Sequence, residues 1–183
     1  GAKVVAVEPN PSVCAMLRRL ARTRAIYVEN CAVGDTPGRL TLHACVEHPS
    51  LSTVTHEWLE TAEQSARHGH PHWQPIEVDV VTLDQLASRH GIPAFVKIDV
   101  EGFDDHVIRG MSFRPRCLSF EFNMEVQHVA LDCLEMLKSD YEFNYSCTMD
   151  GLASSHWMNA PQLRSRIFDG TNYYGDVLAR RLQ

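Results

Sequence analysis

The chain has 183 residues, 44% of them hydrophobic and 22% charged, which is the size and make-up of a single globular domain with a substantial core. A net charge of −6 without a basic run argues against nucleic acid as the main partner. No apolar run reaches the length of a bilayer span, and no signal-peptide pattern opens the sequence, so neither a membrane partner nor export is expected.

Lys3 to Val7 is a short β-branched run suited to a parallel strand. Val13, Met16, Leu17 and Leu20 follow at helical spacing, with Asn10 or Ser12 as the cap and Arg18, Arg19 and Arg22 toward the end. Ala25 to Glu29 reads as the next strand. After the turn cluster Asp35-Thr36-Pro37-Gly38, the alternation of Leu40, Leu42, Ala44 and Val46 predicts a half-exposed antiparallel strand. Residues 47–75 are rich in His, Ser, Thr and Pro without clear periodicity, which predicts a long loop or lid. Ile76, Val78 and Val80 resume alternation, and Leu83, Leu86 and Ala87 mark a short helix stopped by Gly91-Ile92-Pro93.

The next stretch, Phe95 to Phe103, carries the most chemistry. Val96, Ile98 and Val100 fall on one side of a period-2 pattern; Lys97, Asp99 and Glu101 fall on the other. Charges on an otherwise apolar strand are costly to bury unless they are paired or functional. Asp99 and Glu101 also come at the carboxyl end of the strand, where open α/β sheets bind their ligands. A short helix around Phe103, Val107, Ile108 and Met111 and a strand through Leu118, Phe120, Phe122 and Met124 follow, the latter with Glu121 and Asn123 on its other face. Then come a helix with Val126, Ala130, Cys133, Leu134 and Leu137 on one side and a strand from Tyr141 to Cys147. The tail from Ala160 to Gln183 predicts a helix and a strand without firm bounds. Strands alternating with helices predict a mostly parallel α/β sheet in one domain, residues 1–183.

Six scattered cysteines (Cys14, Cys31, Cys45, Cys117, Cys133 and Cys147) form no C-x-x-C pair, which favours buried, reduced thiols and a cytoplasmic setting. His68, His70 and His72 are spaced unlike any zinc pattern and read as an exposed polar loop. Lys97 and Glu121, each on the polar face of its own strand, are expected to form an ion pair. Glu8, directly after the first strand, suits either a ribose-binding carboxylate or a solvated acid at a helix start.

Val96-Lys97-Ile98-Asp99-Val100-Glu101-Gly102, followed by Val107-Ile108-Arg109-Gly110-Met111, resembles the hallmark of FkbM-type methyltransferases. Val5-Ala6-Val7-Glu8-Pro9-Asn10-Pro11, Asn30-Cys31-Ala32-Val33-Gly34-Asp35 and Thr82-Leu83-Asp84 agree in order and spacing. The resemblance implies a Rossmann-like class I methyltransferase sheet and S-adenosylmethionine (SAM) as cofactor. It further implies O-methylation of a hydroxyl on a small molecule or sugar. It places the SAM ribose on Glu8 and the adenine edge beside Asn30, Cys31 and Ala32.

Asp99 then serves as general base or as orienting group for the acceptor or cofactor. With Glu101 it could alternatively ligate a divalent cation. His106, one helical turn further on, is a second candidate proton acceptor. The family begins with a strand and glycine motif, and residues 1–183 are expected to be a fragment cut after that strand. Two other classes stay open: a nicotinamide-dependent oxidoreductase, since an acid after a strand also suits NAD ribose, and a non-catalytic binding module.

Overall fold

A computed structural model describes residues 2–22, 25–64, 71–147, 151–170 and 172–182. Strand β1 (Val4–Val7) leads into helix α1 (Pro11–Ala21). Of the two caps expected for that helix, Asn10 is the one used: its side chain accepts from Ser12 N at 3.0 Å, and Pro11 fills the first turn. Strand β2 (Ile26–Glu29) returns parallel to β1. Two residues, Ala32–Val33, form β3. The alternating segments become β4 (Gly38–Cys45) and β5 (Trp73–Val81), an antiparallel pair with Leu42 opposite Ile76.

Between β4 and β5 the structure departs from the loop expected there. Pro49–Leu51 make one 3₁₀ turn, and His56–Gln64 form a helix, α2. Thr55 Oγ1 accepts from Trp58 N at 3.3 Å at the start of α2, and Trp58 is 5% exposed. One buried tryptophan anchors the helix, so there was no repeated apolar spacing to read. His72 caps this region by pairing with Glu47, Nδ1 to Oε1 at 2.5 Å, which holds the Glu47 carboxyl down at about 2. His68 and His70 lie outside the described residues.

Helix α3 (Leu83–His90) opens on a capping box between Thr82 and Gln85 and ends at Gly91. Then come β6 (Phe95–Lys97), α4 (Asp104–Arg109), β7 (Cys117–Asn123), α5 (Gln127–Leu137) and β8 (Tyr141–Ser146). The tail supplies α6 (Ala160–Ile167) and β9 (Tyr174–Arg181). Leu118, Phe120 and Phe122 of β7 are fully buried among Leu137 of α5, Leu163 and Ile167 of α6 and Val177 of β9, which form the centre of the core.

The architecture is α/β, but the sheets are mixed rather than mostly parallel. Among the described residues, β1–β2, β3–β5 and β6–β7 pair in parallel, while the longer ladders β4–β5, β7–β9 and β8–β9 are antiparallel. The order β6-β7-β9-β8 places the last strand between its two predecessors, running against both. Among the described residues β1 pairs only with β2, and β6 only with β7, and a cleft runs between them.

The end of α4 is pressed onto the turn after β3. A Cβ on Gly110 would come within 2.2 Å of the Gly34 carbonyl oxygen, so only glycine fits there. All six cysteines are free thiols; Cys14, Cys31, Cys45 and Cys133 are buried, and Cys117 and Cys147 are half-buried. No helix among the described residues is long and apolar enough to cross a membrane.

Candidate active site

The regular part of β6 ends at Lys97, although Ile98 N still bonds Ser119 O at 2.8 Å. Glu101 then takes φ +52°, the one non-glycine residue with positive φ among those described, and Gly102 follows at +87°. A left-handed glutamate costs roughly 1 kcal/mol, so the surroundings must hold it. Thr53 Oγ1 donates to the Glu101 carbonyl at 2.8 Å, and Trp58 lies over Gly102, with its Cβ 3.5 Å from where a Gly102 Cβ would stand. This turn breaks the period-2 pattern. Asp99 stays half-exposed beside Lys97, whereas Glu101 is drawn toward the buried Asp104 of α4 and the half-buried Glu121 of β7.

Those acids form a cluster. Asp104 is 1% exposed, and its carboxylate accepts from Glu121 N at 3.2 Å. Burial, reinforced by Glu121, Asp99 and Asp104, pushes Glu101 up to about 9. Burial and then Asp104 push Glu121 up to about 8, and burial leaves Asp104 at about 7 despite the backbone N–H groups that favour its ionised form. Lys97 Nζ lies 3.0 Å from Asp99 Oδ2 and 3.0 Å from Asp176 Oδ1. The Lys97–Glu121 pair expected from the sequence is therefore not formed. Strand β9 sets Asp176 opposite Glu121, and the ammonium takes Asp176 and Asp99 instead. Asp176 was missed because nothing local to the tail says which strand it will join.

A cleft of about 1040 Å³ runs along β1 and β6. At the carboxyl ends of the strands it is lined by Glu8, Cys31, Ala32, Asp99, Glu101 and Phe103. Glu8 follows β1, and its Oε1 accepts from Asn10 N at 2.7 Å. Burial raises its pKa, partly offset by that bond. Burial also pushes the Cys31 thiol up to about 11, so it is an uncharged wall. At the other end of the slot Lys3 Nζ donates to His90 O at 2.8 Å.

Two of the expected site residues stand elsewhere. The Asn30 amide donates to the carbonyls of Glu8 and Pro9 at 2.9 and 3.0 Å, so it braces the turn behind Glu8 rather than lining the cleft. His106 also stays off the cleft lining. Its ring stacks on Phe103 with centroids 4.2 Å apart, and its Nδ1 meets Asp35 at 3.2 Å. Among the described residues no group of three or more His, Cys, Asp or Glu side chains is placed to hold a metal ion.

A crevice at the carboxyl ends of parallel strands, with one acid after β1 and a knot of acids after β6, lies where open α/β sheets take up their ligands. The chain belongs to the methyltransferase FkbM domain family, whose model matches residues 1–147. No curated protein and no solved structure matches it. The matched span carries both sides of the cleft and stops before α6 and β9, so Asp176 comes from beyond it.

Proposed function

We propose that this domain transfers a methyl group from SAM to a hydroxyl of a small molecule or sugar. The observation that carries the reading is the meeting of Glu8 with Asp99 and Glu101 on one cleft, in a chain of a methyltransferase family. The residues present fit the cofactor's nucleoside end. Glu8 is a half-buried carboxylate with one oxygen steadied by Asn10 N, and an acid at this place suits the two hydroxyls of a ribose. Cys31 and Ala32, both buried and neutral, suit the flat edge of an adenine.

Bound SAM would supply a methyl group on a positively charged sulfur. The remaining work falls to the residues of this chain. An alcohol is a poor nucleophile until its proton leaves, and Asp99, half-exposed at the cleft, is the carboxylate we assign to take it. While the acceptor oxygen gained the methyl group, Asp99 would take the hydroxyl proton, and the S–C bonding pair would leave with the cofactor's sulfur. Glu101 keeps its own proton at neutral pH and can donate a hydrogen bond to a second oxygen of the acceptor, which favours a polyhydroxylated molecule.

Calorimetry on the whole chain with SAM, its stable analogue sinefungin and NAD tests the reading. Binding of the first two without NAD, followed by transfer of labelled methyl from SAM to hydroxyls in a panel of sugars, is the expected result. NAD binding with no response to SAM would refute it and favour an oxidoreductase.

A further inference from the structure

Lys97 is the cationic side chain that touches the acid cluster among the described residues, and it sits between two carboxylates at equal distance. Five acids share this small volume: Asp99 after β6, Glu101 in the left-handed turn, Asp104 on α4, Glu121 on β7 and Asp176 on β9. Without a cation such a group relieves its repulsion by holding protons on whichever members are most buried, and any member can lose its role as acceptor. The ammonium breaks that symmetry because it pairs directly with Asp99 and Asp176, while at Glu121 its charge is the smallest of the influences and is outweighed by burial and the neighbouring acids. The sheet fixes the contact with Asp176, since Lys97 is held in the β6–β7 ladder and Asp176 in the β7–β9 ladder, while Asp99 stands two residues beyond Lys97, just past β6.

We propose that Lys97 is a positioning residue that keeps Asp99 as the cleft's proton acceptor, with Asp176 anchoring the ammonium from the far side. This rests on the methyl-transfer reading above for the purpose of the acceptor, though the electrostatic arrangement itself does not depend on it. Glu101, Asp104 and Glu121 lie beyond reach of a direct ion pair with Lys97, and burial raises all three. Lys97 thus divides the cluster into an ion-paired part, Asp99 and Asp176, and a proton-holding part, Glu101, Asp104 and Glu121. It also gives the tail strand a part in the site, since Asp176 fixes where the ammonium stands.

Carboxyl-detected ¹³C NMR titration of the whole chain reads Asp99 directly and needs no acceptor molecule. In Lys97→Met the Asp99 midpoint is expected to move up by at least about one pH unit, the lower end for loss of an adjacent opposite charge. Lys97→Arg should restore most of that shift. In Asp176→Asn, where Lys97 keeps Asp99 as its one carboxylate partner, the midpoint should move down. An Asp99 midpoint that does not move in Lys97→Met overturns the proposal. Should that variant fail to fold, an unmoved or raised midpoint in Asp176→Asn overturns it equally. A role confined to holding the sheet together would not give shifts of opposite sign. Calorimetry of the unaltered chain with SAM separates the two readings: shifts as expected with no SAM binding would leave the Lys97 arrangement standing and remove the methyl-transfer reading.

Discussion

Mild alkali should destabilise this protein, and the acid cluster sets the size of the effect. Glu101 titrates at about 9 in the fold against an ordinary 4.5, so between those values the folded chain holds a proton that the unfolded chain has released. A carboxyl raised in this way stabilises the fold fully below pH 4.5, and the stabilisation is lost as pH rises toward 9. Glu121 and Asp104 are raised in the same direction. The three repel one another, so the cluster is counted as a single retained proton. One proton costs about 1.4 kcal/mol per pH unit, or roughly 2.7 kcal/mol between pH 6.5 and 8.5.

The window starts at 6.5 because His43, whose pKa is lowered by burial and by His56, acts in the opposite sense below it. With ~2.1 cal/mol/K of unfolding entropy per residue, a 183-residue domain should lose about 7 °C of Tm across the window. Differential scanning fluorimetry in buffers of matched ionic strength measures this. Glu101→Gln, which keeps the shape and removes the proton, should flatten much of the slope and raise Tm at pH 8.5 relative to the unaltered chain. A Tm that is level or rises from pH 6.5 to 8.5 would refute the reasoning, because no retained proton would then be present.

Other outcomes follow from the same geometry. Glu8→Ala should weaken SAM binding by about 1.5–3 kcal/mol, the range for hydrogen bonds to a charged group, as measured by calorimetry; an unchanged Kd in a folded variant removes the ribose assignment. Asp99→Asn should lower turnover at least ~100-fold with little change in SAM affinity, whereas equal loss of both would place Asp99 in cofactor binding. Gly110→Ala should destabilise by roughly 1–3 kcal/mol, since its Cβ would meet a backbone oxygen that can move only with the whole turn; an unaltered chemical-denaturation midpoint would count against the packing described. The edges of β1 and β6 along the cleft lack strand partners among the described residues, and Val4 and Phe95 are 44% and 52% exposed there. Residues 1–183 alone should therefore self-associate, and an added apolar strand-forming peptide should suppress this; a monodisperse chain by light scattering that is indifferent to the peptide would contradict it.

Much of the architecture is legible along the chain because its signals are local. The alternation of Leu40, Leu42 and Ala44 against Ile76, Val78 and Val80 predicts the β4–β5 pair, and the Thr82–Gln85 box and Gly91 bound α3. Asp99 and Glu8 stand out for the same reason, each following an apolar strand. Helix α2 escapes notice because one buried tryptophan and one threonine cap leave no periodic trace. Period 2 misplaces Glu101, because the alternation assumes a strand that continues, and two left-handed residues turn the chain instead.

By itself the sequence determined the α/β character, the family and the acids at the strand ends, since each is written in contiguous residues. The tertiary structure alone decided which carboxylates Lys97 joins, that β9 runs against its neighbours, and that Glu101, Asp104 and Glu121 share one buried volume. Those outcomes depend on strand partners chosen across scores of residues, and on the loss of water around charges that are far apart in the chain. Neither strand choice nor desolvation leaves a mark in any short stretch of sequence.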